Sequence, residues 1–191
     1  MTSAEIRFRR LDRQDFELLS EWLDAEHVRI WWREDADLGA IEDRYGPVVD
    51  GIDPTEVFVI EHDRQPIGVI QRYRLEDDRS WQATLSGTGT PHDAAGIDYL
   101  IGIEQLTGHG LGPDLIDRFV GQTWARYPDI VAVVVAVQEG NVRSWRALEK
   151  TGFRRVWSGE LVSDDPSDEG INHVYVLDRP PPDGVEERRH F

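Results

Sequence analysis

The chain has 191 residues, enough for one ordinary domain with a substantial core. Its 37 acidic and 21 basic residues give a net charge of −16, which disfavours nucleic acid and anionic membranes and favours a cationic partner. Cysteine is absent, which excludes disulfides, cysteine-based metal sites and a cysteine nucleophile. Since the sequence has no apolar signal segment and no long apolar run, we expect a soluble, cytoplasmic protein, either a monomer or a homodimer.

The amino-terminal segment predicts a strand and then a helix. Ile6 and Phe8 alternate with arginines, as in a half-buried strand. Asp12 stands where an N-cap belongs, with Asp15 three residues later, as in a capping box. Apolar residues at helical spacing mark the buried face of this helix: Phe16, Leu19, Trp22 and Leu23.

A turn and a short helix are predicted next. Residues 27–37 are interpreted as a turn that contains two adjacent tryptophans and several acidic residues. Ile41 and Tyr45 then indicate a second helix, which we expect to end before Gly46 and Pro47.

A β-hairpin and a long loop follow in the sequence. The runs 57–62 and 67–73 predict two strands joined by the polar turn 63–66. Residues 77–95 are polar and rich in glycine, threonine and aspartate, and we interpret them as a long loop. Loops of this length in compact domains are usually functional or mobile.

Residues 96–112 suggest a site for a phosphate. An apolar run of strand type is followed by glycines at alternate positions and then by the apolar spacing of a helix. Because glycine lacks a Cβ, the backbone can approach a diphosphate closely, and the first amides of the helix are free to point at it. We expect such amides at His109, Gly110, Leu111 and Gly112; the alternative is a plain glycine-rich turn.

The next segment predicts a buried strand and a capped helix. Residues 130–137 are almost wholly apolar and β-branched, which is typical of a central strand buried on both faces. Asn141 is expected to cap a helix over residues 142–150, and Gly152 to end it.

The last part of the chain predicts a closing hairpin and a tail. The runs 156–162 and 172–177 are expected to pair around the acidic loop 164–170. Residues 180–191, Pro-rich and then charged, are interpreted as a loose tail that follows a single domain over residues 1–179.

Two motifs in this order resemble those of the GNAT superfamily of acyl-CoA-dependent N-acyltransferases. The family's Gln/Arg-x-x-Gly-x-Gly/Ala loop is matched in its letters by residues 105–110 and in its strand-to-helix spacing by residues 107–112, with Thr107 in the first position. Residues 141–153 resemble the family's Asn-x-x-Ala…Tyr-Glu-Lys-x-Gly-Phe segment. The resemblance implies a mixed α/β fold, with a central, mostly antiparallel sheet flanked by helices.

The resemblance also implies acetyl-CoA as the cofactor. Its binding residues are expected in the glycine-rich loop and at the start of the later helix: Thr107, Gly108, His109, Gly110, Leu111, Gly112, Asn141 and Ser144. Asn141 is expected to contact the pantetheine arm in addition to capping its helix.

A narrower resemblance, to the aminoglycoside 6′-N-acetyltransferases, extends over most of the chain. It rests on Trp31-Trp32, Tyr45 with Pro47, Pro66-Ile67-Gly68 with Gln71 and Tyr73, and Gly96-Ile97-Asp98. In that family the aspartate of Gly-Ile-Asp is taken as the base for the substrate amine, which implies this role for Asp98. A carboxylate suits it, because the ammonium must lose a proton before it can attack. The alternative is a structural aspartate that accepts a backbone hydrogen bond at a strand start.

One position departs from the family pattern. The superfamily motif has a tyrosine just before Glu-Lys that protonates the departing thiolate, and Leu148 takes its place here. Ser144, one turn earlier, is a weak substitute, with a solvated first-turn serine as the alternative.

Acidic and aromatic residues predict a site for a cationic acceptor, with flat rings for sugar rings and carboxylates for ammonium groups. One wall is expected at Trp31, Trp32, Glu34, Asp35 and Asp37, with at least one of the tryptophans in the core. The candidate opposite wall is Asp164, Asp165, Asp168 and Glu169, and the alternative for the acidic residues is a solvated surface. Further substrate-binding residues are expected at Tyr45, Gln71, Tyr73 and Trp81.

The predicted function is direct transfer of acetyl to a primary amine of a polycationic small molecule, with an aminoglycoside as the leading acceptor. Two alternatives stay open: acyl transfer to an N-hydroxylysine-type siderophore precursor, which a more apolar cleft would favour, and a weakly catalytic acyl-CoA-binding domain. No metal-ligand spacing is found in the sequence, and no metal is expected.

Overall fold

A computed structural model describes residues 5–181 of the chain, and the predicted tail lies largely outside them. Within this range the chain forms a seven-stranded sheet with helices on both faces. The strands are β1 (Ile6–Arg10), β2 (Glu56–His62), β3 (Gln65–Arg74), β4 (Ala94–Ile101), β5 (Ala132–Gln138), β6 (Arg154–Glu160) and β7 (Ile171–Asp178). The α-helices are α1 (Phe16–Asp24), α2 (Glu26–Arg29), α3 (Leu38–Val49), α4 (Arg79–Thr84), α5 (Leu111–Arg126) and α6 (Val142–Lys150).

The sheet is mixed and mostly antiparallel, as predicted. Its strand order is β1-β2-β3-β4-β5-β7-β6, and only β4 and β5 run parallel to each other. The two predicted hairpins are the antiparallel pairs β2–β3 and β6–β7. Asp63 and Arg64 form the tight turn of the first hairpin, both with positive φ, as the two central residues of a type I′ turn require.

The two middle strands separate along their length. β4 pairs with β5 only over Ala94–Gly96 and Ala132–Val134. Beyond this point β4 stays paired with β3 as far as Ile101, and β5 stays paired with β7 as far as Gln138. The second halves of β4 and β5 therefore diverge and open a gap near the centre of the sheet.

Each face of the sheet has its own core. One face packs against α5 and α6, through residues that include Leu115 and Phe119 of α5 and Leu148 of α6. On the other face, α1, α2 and α3 cover β2, β3 and β4, while the segment around α4 covers β5 and β7.

The side chains of consecutive β4 residues lie on opposite faces of the sheet. Ile97 and Tyr99 belong to the cluster with α5 and α6, whereas Leu100 belongs to the cluster with α1 and α3. Asp98 accordingly lies on the same face as Leu100, opposite to Tyr99.

The predicted capping box is present at the amino-terminal helix. The Asp12 carboxylate accepts a hydrogen bond from the amide of Gln14 at 2.7 Å, and the Asp15 carboxylate accepts one from the amide of Asp12 at 3.0 Å. The box opens a single 3₁₀ turn that leads into α1 at Phe16. All the predicted apolar residues of this helix are buried.

The second predicted helix is longer than expected, and the predicted turn before it is partly helical. Residues 27–37 begin inside the short helix α2. α3 does not end before Gly46 but continues through Pro47 to Val49. Pro47 is tolerated because it lies in the last turn, where the carbonyl it leaves without a partner belongs to the exposed Asp43 and can bind water.

The prediction of one long loop over residues 77–95 is wrong. The segment contains α4, whose N-cap is Asp78; its carboxylate accepts a hydrogen bond from the amide of Trp81 at 2.9 Å. No residue of α4 is fully buried, so the helix lacks the apolar periodicity that would have revealed it.

The later elements agree with the sequence. β5 is mostly buried, and Asn141 caps α6 by accepting a hydrogen bond from the amide of Ser144 at 3.3 Å. Gly152 follows α6 with φ of 88°, a left-handed conformation that favours glycine at this position. In the described residues, no helix combines the length and apolar character that a membrane span requires.

Candidate active site

A cleft of about 1130 Å³ passes through the gap between β4 and β5. It connects the glycine-rich loop and the start of α6 with the acidic loop between β6 and β7. Most of the predicted site residues line it: Trp31, Trp32, Glu34, Tyr45, Gln71, Tyr73, Trp81, Asp98, Thr107, Gly108, Gly110, Gly112, Asn141, Ser144, Asp164, Asp165 and Asp168. Five others do not: Asp35, Asp37, His109, Leu111 and Glu169.

The glycine-rich loop leads directly into α5. Gly108 and Gly110 have φ of 78° and 86°, and a Cβ built on either would meet no atom within 4 Å, so the space beside both residues is open. α5 begins at Leu111, and its first amides have no partner within the helix. This geometry matches the spacing of residues 107–112 rather than that of 105–110. The loop can therefore bind a phosphate through its backbone.

The side chains of the loop are occupied with one another. The Thr107 hydroxyl donates to the carbonyl of Glu104 at 2.7 Å and accepts from Arg143 Nη1 at 3.1 Å. The exposed His109 ring contacts the carbonyl of Thr107 at 2.9 Å, and Leu111 packs against the core. His109 and Leu111 can thus contribute backbone amides to a site, while their side chains lie outside the cleft.

Basic residues of α6 were not anticipated from the sequence. Arg143, Arg146 and Lys150 all line the cleft, near the glycine-rich loop. Their spacing of three and four residues puts them on one side of a helix, and this signal was readable in the sequence. They give this end of an otherwise acidic cleft a positive charge suited to phosphates.

Asp98 lies where the two strands separate. Its carboxylate accepts a hydrogen bond from Gln71 Nε2 at 2.9 Å. Burial raises the pKa of Asp98, and the hydrogen bonds from Gln71 and Tyr73 offset part of that rise. The side chain of Tyr73 lies directly against Gly96, where a Cβ would be 2.3 Å from the tyrosine ring. Gly96 is therefore needed to seat Tyr73 beside Asp98.

A second buried carboxylate, Glu34, lines the cleft. It accepts a hydrogen bond from the Tyr45 hydroxyl at 2.8 Å and pairs with Arg44 at 2.8 Å. Burial raises the pKa of Glu34, while the charge of Arg44 and the Tyr45 hydrogen bond counteract part of the rise. This network fixes Tyr45 and Glu34 in one arrangement.

The two tryptophans differ in their surroundings. Trp32 packs against the core formed with α1 and α3, as expected for one of the pair. The Trp31 ring lies against Gly140, with a gap of 3.1 Å to the position a Cβ would take. Trp31 is the better placed of the two to offer a flat face to a ligand.

The acidic loop between β6 and β7 forms another wall of the cleft. Burial raises the pKa of Asp168 to about 6, the charges of Asp165 and Asp98 add to the rise, and a hydrogen bond from Ser163 opposes it. The loop is attached to the turn before α3, because the Ser167 hydroxyl accepts a hydrogen bond from the amide of Arg33 at 3.1 Å.

Three acidic residues of the predicted walls have structural contacts instead. Asp35 is exposed and accepts a hydrogen bond from the amide of Asp37 at 2.9 Å. Asp37 caps α3 by accepting from the amide of Gly39 at 2.8 Å. Glu169 forms an ion pair with Arg33. The three carboxylates thus have partners within the protein and do not line the cleft, and their role in ligand binding stays a prediction.

Ser144 is partly buried, and its hydroxyl contacts another side chain. Its hydroxyl lies 2.8 Å from the hydroxyl of Tyr99, and both residues line the cleft. Leu148, one turn later, has no exposed surface and belongs to the core. The Tyr99–Ser144 contact depends on the separation of β4 from β5, which no local sequence pattern reveals.

Comparisons with known proteins agree with this geometry. A family model described as an acetyltransferase (GNAT) domain matches residues 12–161. The chain is 27% identical over 158 residues to the aminoglycoside N(6')-acetyltransferase type 1 of Klebsiella pneumoniae, an alignment that covers 81% of this chain and 76% of that protein.

Solved structures show the same architecture. The crystal structure of aminoglycoside acetyltransferase AAC(6')-Ib in complex with coenzyme A superimposes with a TM-score of 0.76 at 25% identity, and the match covers 92% of this chain and 95% of that one. A structure of AAC(6')-Ib with coenzyme A and kanamycin gives a TM-score of 0.75 with the same identity and coverage. Since the family model matches most of its length, this chain belongs to the GNAT acetyltransferase family.

Proposed function

We propose that this protein transfers the acetyl group of acetyl-CoA to a primary amine of a polycationic small molecule, and that this molecule is an aminoglycoside acetylated at its 6′-amine. The observation that carries the proposal is the position of Asp98. It stands at the opening between β4 and β5, with an open glycine-rich loop towards one end of the cleft and the carboxylates of Glu34 and Asp168 elsewhere in its walls. The similarity to aminoglycoside N(6')-acetyltransferases supports the choice of acceptor.

The residues of the cleft fit coenzyme A. The open space beside Gly108 and Gly110 admits a phosphate at the start of α5. Arg143, Arg146 and Lys150 supply the positive charge that the phosphates of the nucleotide need. When bound, acetyl-CoA supplies an activated acetyl group as a thioester.

The acceptor end of the cleft suits a molecule with several ammonium groups. Glu34, Asp98, Asp165 and Asp168 line it together, and one exposed ion pair would add only about 0–1 kcal/mol. Several such pairs are needed for useful affinity. N-hydroxylysine has one strongly basic amine, because a hydroxylamine nitrogen is much less basic than an alkylamine. It would leave most of Asp98, Asp165 and Asp168 without a cationic partner, and this favours the polycationic acceptor. The net charge of −16 also attracts a polycationic molecule to the protein at longer range.

Asp98 is proposed as the base. Its carboxylate attracts the substrate ammonium and then accepts a proton from the amine nitrogen, directly or through water. Gln71 holds the carboxylate in place by its hydrogen bond. A backbone amide on the free edge of β4 or β5 can donate a hydrogen bond to the oxygen that becomes negative during the attack.

The test is thiol release from acetyl-CoA with a panel of aminoglycosides, polyamines and N-hydroxylysine. We expect turnover with aminoglycosides, and a fall in kcat of about 10²–10⁴-fold in Asp98→Asn, the range for loss of one acid–base group. Asp24→Asn, an exposed aspartate at the end of α1, serves as the matched control and should leave kcat unchanged. Mass spectrometry of the product identifies the acetylated nitrogen.

Two results would contradict the proposal. Turnover restricted to N-hydroxylysine would assign the enzyme to siderophore precursors. Binding of acetyl-CoA without turnover of any amine, measured by titration calorimetry, would identify an acyl-CoA-binding domain.

A further inference from the structure

We infer that Tyr99 is the proton donor to the departing thiolate and that Ser144 is a positioning residue for its hydroxyl. This inference rests on the proposed function, because it assigns a further catalytic residue to the same acetyl transfer. It fills the position left open by Leu148, which has no polar atom in its side chain.

Leu148 itself cannot take part in the chemistry. Its side chain has no exposed surface, belongs to the core on the α5 and α6 face of the sheet, and does not line the cleft. No other residue of α6 brings an aromatic hydroxyl to the cleft, since the helix reads Val-Arg-Ser-Trp-Arg-Ala-Leu-Glu-Lys. A donor must therefore come from another element or from water.

Tyr99 is the tyrosine on the correct side of the sheet. It follows Asp98 directly on β4, so the two side chains project to opposite faces of the strand. Asp98 faces the acidic side with Gln71, and Tyr99 faces α6 with Ser144. The proposed base and the proposed donor thus lie on opposite faces of β4, beside the gap where it separates from β5.

The other tyrosines of the cleft are committed elsewhere. The Tyr45 hydroxyl donates to Glu34 at 2.8 Å. Tyr73 lies on the acceptor side, seated against Gly96 and beside Asp98. Among the described residues that line the cleft, Tyr99 is the phenol whose hydroxyl lies towards the glycine-rich loop and α6.

Ser144 holds the phenol in a defined position. Its amide donates to the Asn141 side chain at 3.3 Å, which anchors Ser144 in the first turn of α6. Its hydroxyl lies 2.8 Å from that of Tyr99. Burial raises the pKa of Tyr99, and the hydrogen bond with Ser144 offsets only part of the rise, so the phenol keeps its proton at neutral pH.

Asp98 and Tyr99 together account for every proton that moves in the reaction. The substrate ammonium first loses one proton through Asp98 to water. The neutral amine nitrogen then forms a bond to the acetyl carbon and loses a second proton to Asp98. The carbon–sulfur bond then breaks, and the sulfur takes the electron pair and the Tyr99 proton, which gives free thiol and amide. Asp98 afterwards releases its proton to water, and Tyr99 regains one from water, with the Ser144 hydroxyl in contact throughout.

The experiment compares Tyr99→Phe with wild type on two acyl donors. With acetyl-CoA, we expect kcat to fall by about 10²-fold, within the range for one acid catalyst, and the KM for acetyl-CoA to change by less than about threefold. With the matching selenoester, whose selenolate leaves without protonation, the loss should shrink to less than about tenfold. A defect that depends on the leaving group is not expected from a merely structural role.

Further variants distinguish the proton donor, Tyr99, from the residue that positions it, Ser144. Ser144→Ala should lower kcat by about tenfold, and Ser144→Thr, which keeps the hydroxyl, should restore it. Tyr127→Phe is the matched control, because Tyr127 is buried and does not line the cleft. This variant should leave kcat unchanged with both acyl donors. Circular dichroism and thermal melts establish that each variant is folded.

The outcomes distinguish the two proposals. An unchanged kcat in Tyr99→Phe, or an equal loss on the thioester and the selenoester, would overturn the role of Tyr99 and leave the proposed acceptor intact. A Tyr99→Phe defect seen with polyamines, in an enzyme inactive on aminoglycosides, would overturn the acceptor and support Tyr99. A wild-type protein that releases no thiol with any amine would overturn both.

Discussion

The surroundings of individual carboxylates in the cleft shift their pKa values. Burial raises the pKa values of Asp98 and Glu34, and that of Asp168 to about 6. A cation is the natural counter-charge for such groups, because it lowers the free energy of their ionised forms. Glu34 already has Arg44 as its counter-charge, whereas a bound cation would stabilise the ionised forms of Asp98 and Asp168.

Acceptor affinity should depend on pH through Asp168. A carboxylate is charged above its pKa and neutral below it, so Asp168, with a pKa of about 6, loses its attraction for an ammonium group in mild acid. We expect the KM for a polycationic acceptor to rise about two- to fivefold as pH falls from ~7 to ~5, the value of one partly exposed ion pair. The measurement is a series of KM values across this pH range.

Asp168→Asn provides the control for this dependence. The variant should have the higher KM already at pH ~7 and should lack this part of the pH dependence, while Asp24→Asn should behave as wild type. A wild-type KM that stays constant between pH ~7 and ~5 would exclude a contribution of Asp168 to acceptor binding.

At the scale of elements, the acidic loop depends on its attachment to the turn before α3. The Arg33 guanidinium donates to the carbonyl of Pro166 at 3.2 Å and pairs with Glu169, and the loop is also held by a hydrogen bond from Gln138 to the carbonyl of Ser167. Two segments far apart in the sequence thus form one continuous wall. The position of Asp168 is set by these contacts.

Arg33→Ala should loosen this wall. We expect the KM for the acceptor to rise by about threefold or more, since each lost polar contact is worth about 1 kcal/mol, while the KM for acetyl-CoA stays unchanged. Steady-state kinetics with each substrate varied in turn measure both values. Arg7→Ala, which removes an exposed arginine of β1, is the control; a parallel rise in both KM values would point to a general loss of structure.

At the scale of the whole molecule, one buried charge network joins three strands to a helix. Glu56 of β2 pairs with Arg72 of β3 at 2.6 Å, with Arg126 of α5 at 3.1 Å and with Arg10 of β1. Glu56 and Arg72 are almost fully buried, and the Arg72 guanidinium lies over the ring of Phe58 at 5.0 Å. None of Glu56, Arg72, Arg126 or Arg10 lines the cleft.

Glu56→Gln should therefore affect stability and not catalysis. Removing one charge of a buried pair leaves Arg72 uncompensated, and we expect the free energy of unfolding to fall by about 3–5 kcal/mol. Urea unfolding measures this change, and kcat below the melting temperature should equal that of wild type. Glu17→Gln, at an exposed position of α1, is the control; a loss of less than about 1 kcal/mol in Glu56→Gln would contradict a structural role for the network.

Local patterns predicted the parts of the site that lie on single elements. The glycine-rich loop and the Asn141 cap could be predicted because each depends on a turn or a helix start in one continuous segment, while the role of Asp98 was implied by the resemblance of Gly96-Ile97-Asp98 to a family motif. The Tyr99–Ser144 contact could not be predicted, because it depends on the point at which β4 and β5 cease to pair. The hydrogen bond that Asp35 accepts from the amide of Asp37 could not be predicted either, because composition alone does not distinguish such a contact from ligand binding.

The separation of β4 from β5 leaves two strand edges facing each other across the cleft. Their backbone amides and carbonyls are free to pair with an extended ligand that carries amide groups of its own, much as a peptide adds to an open sheet. The pantetheine arm of coenzyme A has this chemistry. Binding of the acyl donor would then extend the hydrogen-bond ladder across the middle of the sheet, so that the substrate bridges the two halves of the molecule and slows hydrogen exchange in both.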